Sequence, residues 1–366
     1  MEILYYFRQQ QTPMYLWQNV HFIDELSHHG INIEVFNPLN FKNVDLANAN
    51  LIGQLQEKKY DMFMTCHNEK LLYIDTLKEI KKLGIPNLLI CFDNLLIPYE
   101  HKKVCAYFDL VWLTAIETKH MFDRWGAKTV FSPYAANPYK YYYKVADLER
   151  NKMVFNGTPY GSRANMINNI TSAGIPVDVY ANVNNGKVVK KKHTITEYMQ
   201  KMVRFFSFSI GRKVLWSALK QKVRKHSFIK DNNSLVIRPG VEFDEISKLY
   251  SEYSLSLSST SARDTGILKN SVEVIVLRCF EIPMSGGILF CKYNEELSRY
   301  FEEDKEIIFY RTEEEMIRKA KYYLDPKRDA ERKQIRMCAR KRAESEHTWM
   351  KRFELVFSEL GLLYKE

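Results

Sequence analysis

Short apolar runs alternate with amphipathic stretches through the first third of the chain. "EILYYF", "INIEVFN", "YDMFMTC", "PNLLICFD", "FDLVWLT" and "KTVFSPY" are too short for helices and read as strands. Between them "PMYLWQNVHFIDELSHHG", "EKLLYIDTLKEIKKLG" and "AIETKHMFDRWG" carry apolar residues at helical spacing and stop at glycine. This alternation predicts a parallel sheet covered by helices on both faces. Ligands of such sheets collect at the carboxyl ends of the strands.

A tyrosine-rich break, "YAANPYKYYYKVADLERN" (134–151), interrupts the pattern, which then restarts. "KMVFNGTPYGSRANMINNITSAGIPVDVY" reads as strand, glycine-containing turn, helix and strand. "SLVIRPG", "EFDEISKLYSEY", "SLSLSS", "EIIFY" and "EEEMIRKAKYYL" continue the alternation. Two α/β halves follow, an N-terminal domain over 1–145 and a C-terminal domain over 146–340. The end of the chain, "AERKQIRMCARKRAESEHTWMKRFELVFSELG", reads as helical throughout. Its last part, 341–366, is expected to return to the N-terminal domain.

Residues 182–231 break the second half. From Lys187 to Lys230 there are thirteen Lys or Arg and one acid, Glu197. The whole chain carries only +10, so its remainder is nearly neutral. Met202, Phe206 and Ile210, then Leu215, Leu219 and Val223, have helical spacing. A basic amphipathic helix fits an anionic membrane surface. It equally fits a helical subdomain with its apolar face on the core. No nucleic-acid motif accompanies the charge, so nucleic acid is not the expected partner.

A length of 366 residues with 46% hydrophobic side chains suits two packed domains. The six cysteines show no C-x-x-C spacing and lie mostly in apolar runs, as buried reduced thiols do. The opening "MEILYYF" lacks the basic and apolar regions of a signal peptide, and no apolar run reaches the ~18 residues of a membrane span. The expected location is cytoplasmic, peripheral on the inner face of a membrane.

Candidate chemistry begins at "FNGTPYGSR" (155–163). Gly157 and Thr158 follow a strand, and a helix begins near Ser162. The glycine lets a ligand approach the backbone, and the helix start offers free N–H groups to a phosphate. Arg163 adds a fork of donors. Many such turns bind nothing, and this one is not the G-x-G-x-x-G of dinucleotide sites.

In "ARDTGILKNSVEVIVLRCFEIPMSGG", Asn270 is expected to cap a helix running to about Ser285, with Glu273 at its third position. Arg263 and Lys269 lie just before it. Arg278 and Glu281 are three apart and would share a helix face, either as an ion pair or with Glu281 holding ligand hydroxyls.

These residues carry a family resemblance. "LRCFEIPMSGGILFC", "EELSRYFEEDKEIIFYRTEEEMIRKAKYYLDP" and "EHTWMKRFE" resemble the C-terminal region of CgeB-like bacterial glycosyltransferases. "VFNGTPYGSRANMINNITSAGIPVDVY" looks like the opening of that family's nucleotide-binding domain. "FDLVWLTAIETKHMFDRWGAKTVFSPYAANP" looks like the close of its N-terminal domain. The basic insertion has no counterpart in the resemblance.

The resemblance implies a GT-B fold, α/β, with two Rossmann-like domains facing across a cleft. It implies a glycosyltransferase that moves a hexosyl-type sugar from a UDP- or GDP-sugar to a glycan or lipid-linked acceptor. Glu281 would bind the nucleotide ribose; Glu273, eight residues earlier, gives the E-x7-E spacing of some retaining GT-B families, in which the first Glu reaches the donor sugar, though the CgeB-like pattern does not regularly place an acid there. Arg263 and Lys269, with Arg163 and Arg278 behind them, would neutralise the diphosphate without a metal. No D-x-D, the metal-binding pattern of the other main transferase fold, occurs in the chain.

Arg238 in "IRPG" would line the donor site or pair with Glu242. His67 in "TCHNEK" and Asp93 in "ICFDNLL" follow strands, where either is a candidate acceptor base. Asp93 also suits a turn cap, and His67 an ordinary loop. His347 matches the family's E-H-T-W site and equally suits helix packing. The reading from another class is a non-catalytic nucleotide- or glycan-binding protein.

Overall fold

The apolar runs of the first third form strands β1 (Glu2–Tyr6), β2 (Asn32–Phe36), β3 (Met62–Thr65), β4 (Asn87–Cys91), β5 (Leu110–Leu113) and β6 (Thr129–Phe131). The computed structural model describes residues 1–10, 13–142, 149–181, 195–223 and 229–364. The domain boundary expected near residue 145 and parts of the basic insertion lie outside them. The chain divides into one unit of Met1–Tyr139 with His347–Glu366, and another of Lys140–Glu346.

In the first unit the strands pair in parallel in the order β2-β1-β3-β4-β5-β6. Every residue of β3, β4 and β5 is buried, because helices cover both sheet faces. The helices are α1 (Pro13–Gln18), α2 (Asp24–His28), α3 (Val44–Glu57), α4 (Ile74–Lys82) and α5 (Lys119–Arg124). The hydrophobic pattern did not disclose α3. Its buried stripe of Ala47, Leu51 and Leu55 is diluted by Asn48, also buried, and Asn43 caps it by accepting from the Leu46 N–H.

The C-terminal stretch is not one helix. It breaks at His347–Thr348, between a helix ending at Glu346 and one spanning Trp349–Leu360. The Thr348 hydroxyl caps the second by accepting from the Lys351 N–H. The Glu25 carboxylate accepts from the Trp349 and Met350 N–H groups at 3.1 and 2.6 Å. Trp349 is fully buried and stacks among Trp17, Phe22 and Trp112. An acid–amide cap and an aromatic cluster thus tie the end of the chain into the first unit.

The second unit holds β7 (Arg150–Asn156), β8 (Val177–Tyr180), β9 (Leu235–Arg238), β10 (Tyr253–Ser258), β11 (Leu289–Lys292) and β12 (Ile308–Tyr310). They pair in parallel in the order β12-β11-β10-β7-β8-β9. Its helices are α6 (Ser162–Ser172), α7 (Ile195–Phe206), α8 (Ser209–Val223), α9 (Phe243–Glu252), α10 (Arg278–Met284), α11 (Glu313–Leu324) and α12 (Asp329–Glu346). Among the described residues no helix is long and apolar enough to cross a membrane.

The helix expected from Asn270 begins only at Arg278. Residues 271–276 run outside any helix, and Glu273 pairs with Ser261 in an isolated antiparallel bridge. The β-branched residues of "SVEVIV" explain this, since they favour extended backbone over the first turn of a helix.

Candidate functional site

Strand order reverses between β7 and β10 in the second unit, and such a switch point opens a crevice at the strand carboxyl ends. β7 ends at Asn156, and Gly157 follows with φ of 136°. The Arg278 guanidinium approaches closely, with Nη1 only 3.3 Å from where a Gly157 Cβ would lie. Gly161, at φ 58°, has Asp264 Oδ1 1.9 Å from its own would-be Cβ. A side chain at Gly161 would therefore collide with the loop after β10. Helix α6 starts next, and its first turn has no side-chain cap.

Arg163, on that first turn, lies over the Tyr160 ring at 4.6 Å. Burial and the nearby Arg278 charge hold the Arg163 guanidinium below its ordinary pKa. The Nε atoms of both Arg163 and Arg278 are buried without a hydrogen-bond partner, as are the hydroxyls of Ser162 and Ser258. Two like charges held together with unsatisfied donors form an arrangement that an anion would complete.

Glu281 sits on buried helix α10, and its Oε1 accepts from the Tyr141 hydroxyl at 3.0 Å. Tyr250 joins the group: its pKa is raised by burial and then by the Glu281 charge, and its hydroxyl accepts from Asn156 Nδ2 at 3.4 Å. The elements bring together Gly157, Arg163, Arg278 and Glu281.

Arg263 and Lys269 lie in the segment between β10 and the late start of α10. Both are exposed, and the Arg263 guanidinium lies 5.8 Å above the Phe205 ring. Arg278 is the cation recorded against Gly157, and its charge acts on Arg163. Thr158 is exposed, and its carbonyl accepts from Arg163 Nη1 at 3.4 Å. Arg238 pairs with Asp178 instead of Glu242: its Nε donates to that buried carboxylate at 2.9 Å.

Glu273 is a loop acid, not a helix cap. It accepts from the Thr260 hydroxyl at 3.1 Å and from the Ser271 hydroxyl. Beside it lies a pocket of about 490 Å³, walled by Ser162, Met166, Ser259, Thr260, Lys292 and Thr312. That volume falls within the range of small-molecule sites, roughly 300–1,000 Å³.

The first unit has its own switch point, between β1 and β3. His67 stands there, stacked on Phe7, and its Nε2 accepts from the Arg8 backbone N–H at 2.8 Å. Burial, with His101 and Arg8 nearby, pushes the imidazole pKa down to about 3. His67 is therefore neutral at pH 7, with its lone pair already used.

Asp93 follows β4 at φ 59°, exposed, in a left-handed turn that Asp tolerates better than most residues. Its neighbour Asn94 is fully buried and fixes that turn. Asn94 accepts from the Thr114 and Ala115 N–H groups, each at 3.0 Å, and donates to the Ala115 carbonyl at 2.7 Å. The Asp93 backbone carbonyl accepts from the Leu96 and Ile97 N–H groups, and its carboxylate lies beside the buried Tyr134.

His347 is buried, with Nδ1 3.1 Å from Arg352 Nη2. Arg352 also donates to the Pro133 and Tyr134 carbonyls. The histidine thus belongs to the anchorage of the returning helix.

Pattern reasoning missed Arg8, Ser162, Ser258 and Tyr141. The Arg8 Nε is buried without a partner. Ser162 lies within "FNGTPYGSR" but reads there only as the helix start; Arg8, Ser258 and Tyr141 are distinguished only by their position after a strand or beside α10.

Residues 212–358 match the family model described as glycosyl transferase-like. No curated protein sequence matches the chain. Among solved structures it is similar to HepE of Anabaena, in complex with UDP and glucose, at 12% identity and a TM-score of 0.60 over 99% of both chains. It is also similar to sucrose-phosphate synthase of Thermosynechococcus elongatus, at 11% identity and a TM-score of 0.57 over 98% of this chain and 99% of that one. A glycosyltransferase of Rickettsia africae ESF-5 shares 11% identity and a TM-score of 0.59 over 98% of each chain. Likenesses at such identities are ones of fold, and the fold, two parallel six-stranded sheets with helices, is GT-B as expected. The family match and this fold together support glycosyltransferase function.

Proposed function

We propose that the chain transfers a hexosyl-type sugar from a nucleoside-diphosphate sugar, with the β7/β10 crevice as its donor site. The single observation that carries this is the pair of half-buried guanidiniums, Arg163 and Arg278, whose buried Nε atoms have no partner and the second of which lies against Gly157. A diphosphate supplies the missing acceptors. A carboxylate on the same helix as Arg278 suits the two ribose hydroxyls. The neighbour HepE has been captured with UDP-glucose, and we carry a UDP-sugar to this chain on that basis. The pocket beside Glu273 would receive the sugar ring.

In the transfer, the bond from the sugar anomeric carbon to the diphosphate breaks and one to an acceptor hydroxyl forms. Negative charge grows on the leaving phosphate. Arg163, Arg278 and the uncapped N–H groups of α6 are already oriented to stabilise it, with no reorganisation cost at that moment. The hydroxyl proton needs a base, and Asp93 is the better candidate because the His67 lone pair is occupied. The CgeB-like resemblance extends the proposal to a glycan or lipid-linked glycan acceptor at the inner face of a membrane, in a metal-independent reaction.

Thermal melts with UDP and GDP test the donor site; a raised midpoint that Glu281→Ala abolishes is expected, and no shift with either nucleotide would end the proposal. Hydrolysis or transfer of a UDP-sugar in EDTA, lost in Asp93→Asn, separates an enzyme from a non-catalytic binder.

A further inference from the structure

Helices α7 and α8 display apolar side chains that the fold leaves uncovered. Met199, Val203 and Phe206 recur at i, i+4 and i+7, so one face of α7 holds all three. Trp216 and Leu219 lie three apart on α8. All five are between 54% and 65% exposed. The buried apolar residues of this pair are Phe205, Phe208 and Val214. Of the stripe read from the sequence, Phe206 and Leu219 are exposed, while Met202, Ile210 and Leu215 are half-buried.

The same surface is strongly positive. No Asp or Glu occurs from 198 to 230. Arg204, Arg212 and Lys213 are exposed, and Lys220 is half-buried. Adjacent apolar and cationic groups on an exposed helix match the two layers of a bilayer interface, acyl chain and anionic headgroup. Single-stranded nucleic acid would use the charge and stack on Trp216 and Phe206, but it offers no apolar phase for Met199, Val203 and Leu219.

We propose that α7 and α8 dock in the plane of an anionic lipid surface, with Trp216 and Leu219 entering the headgroup boundary while the Arg and Lys residues meet lipid phosphates. Tryptophan is suited to that depth, because its ring is apolar and its N–H remains hydrated. The proposal is independent of the donor site, and vesicle binding is measured without any nucleotide.

The test is co-sedimentation of the full chain with phosphatidylcholine vesicles and with phosphatidylcholine–phosphatidylglycerol vesicles. Binding to the anionic vesicles alone is expected. Lys213→Glu with Lys220→Glu should weaken it at least about fivefold per site, the effect of losing one surface charge. Trp216→Ser with Leu219→Ser should weaken it about tenfold or more. Both double variants change exposed or half-exposed side chains, so thermal midpoints should match the parent. Anionic vesicles should also shift the tryptophan emission to shorter wavelength, and Trp216→Phe should remove that shift. No binding to anionic vesicles at physiological salt would overturn the proposal. So would binding that the Trp216/Leu219 variant leaves unchanged, or stronger binding to single-stranded oligonucleotide than to vesicles.

Discussion

Each unit places a switch point at the carboxyl ends of a parallel six-stranded sheet, yet the two crevices differ in electrostatic state. Between β1 and β3, His67 is satisfied from within: its Nε2 takes the Arg8 N–H, and burial keeps the ring neutral. Between β7 and β10, two guanidiniums stand together with buried, unpartnered Nε atoms. Topology makes a crevice in both places, and each holds a buried, unpartnered guanidinium Nε: Arg8 beside His67 in the first, Arg163 and Arg278 in the second, where two such charges stand together and call for an anion. The general rule for such sheets locates candidate sites; the hydrogen-bond inventory distinguishes a ligand site from a self-contained one.

The sharpest way to break this contrast is at Asp93, the proposed base, which belongs to the first unit. Asp93→Asn should lower turnover about 10²–10⁴-fold, the usual range for a lost general base. The melting shift caused by UDP should stay intact. A loss of nucleotide binding in that variant would move Asp93 out of the catalytic role. The next effect is at the second crevice. Arg278→Ala should weaken UDP or GDP binding roughly 30–100-fold, as expected for one charge-assisted contact of about 2–3 kcal/mol. Calorimetric titration checks it.

The β-strands and most helices could be read from the hydrophobic pattern, because central parallel strands are buried on both faces and leave unbroken apolar runs. Helix α3 could not, because polar Asn48 interrupts its buried stripe. Nor could the late start of α10: Asn270 and Glu273 mimic a capping box, but the valines and isoleucine between them and Arg278 hold the chain out of a helix. That error had a consequence at the site. A helix from Asn270 would have carried Lys269 and Arg263 to its N-terminus, whereas the actual chain exposes both. The acid–helix relation of Glu281 was legible from its apolar surroundings; its Tyr141 partner, 140 residues away in sequence, was not.

Stability supplies a smaller contrast between the units. Glu25 caps the returning helix in the first unit, and burial raises its pKa to about 7 despite the two backbone N–H groups it accepts. The native state therefore holds this proton more tightly than the unfolded chain does. The stabilisation is complete below about pH 4.5 and is lost as pH rises toward 7, by about 3 kcal/mol at most. Chemical denaturation across that range should show the decline, and Glu25→Gln should flatten it. A slope unchanged in the variant would assign the pH dependence to other groups. The smallest effect is at the exposed cations: Arg263→Ala and Lys269→Ala should each change nucleotide affinity less than about threefold, in keeping with the weak energetics of solvated charges. Larger losses would restore the sequence-based assignment of the diphosphate site.

The central claim is that Arg163 and Arg278, not Arg263 and Lys269, await the donor diphosphate. It is tested most directly by isothermal titration of UDP and GDP, in EDTA, into the parent chain, Arg163→Ala/Arg278→Ala and Arg263→Ala/Lys269→Ala. Tight binding of one nucleotide by the parent, abolished in the first double variant and kept in the second, is the predicted result. Binding kept in the first and abolished in the second would contradict the account.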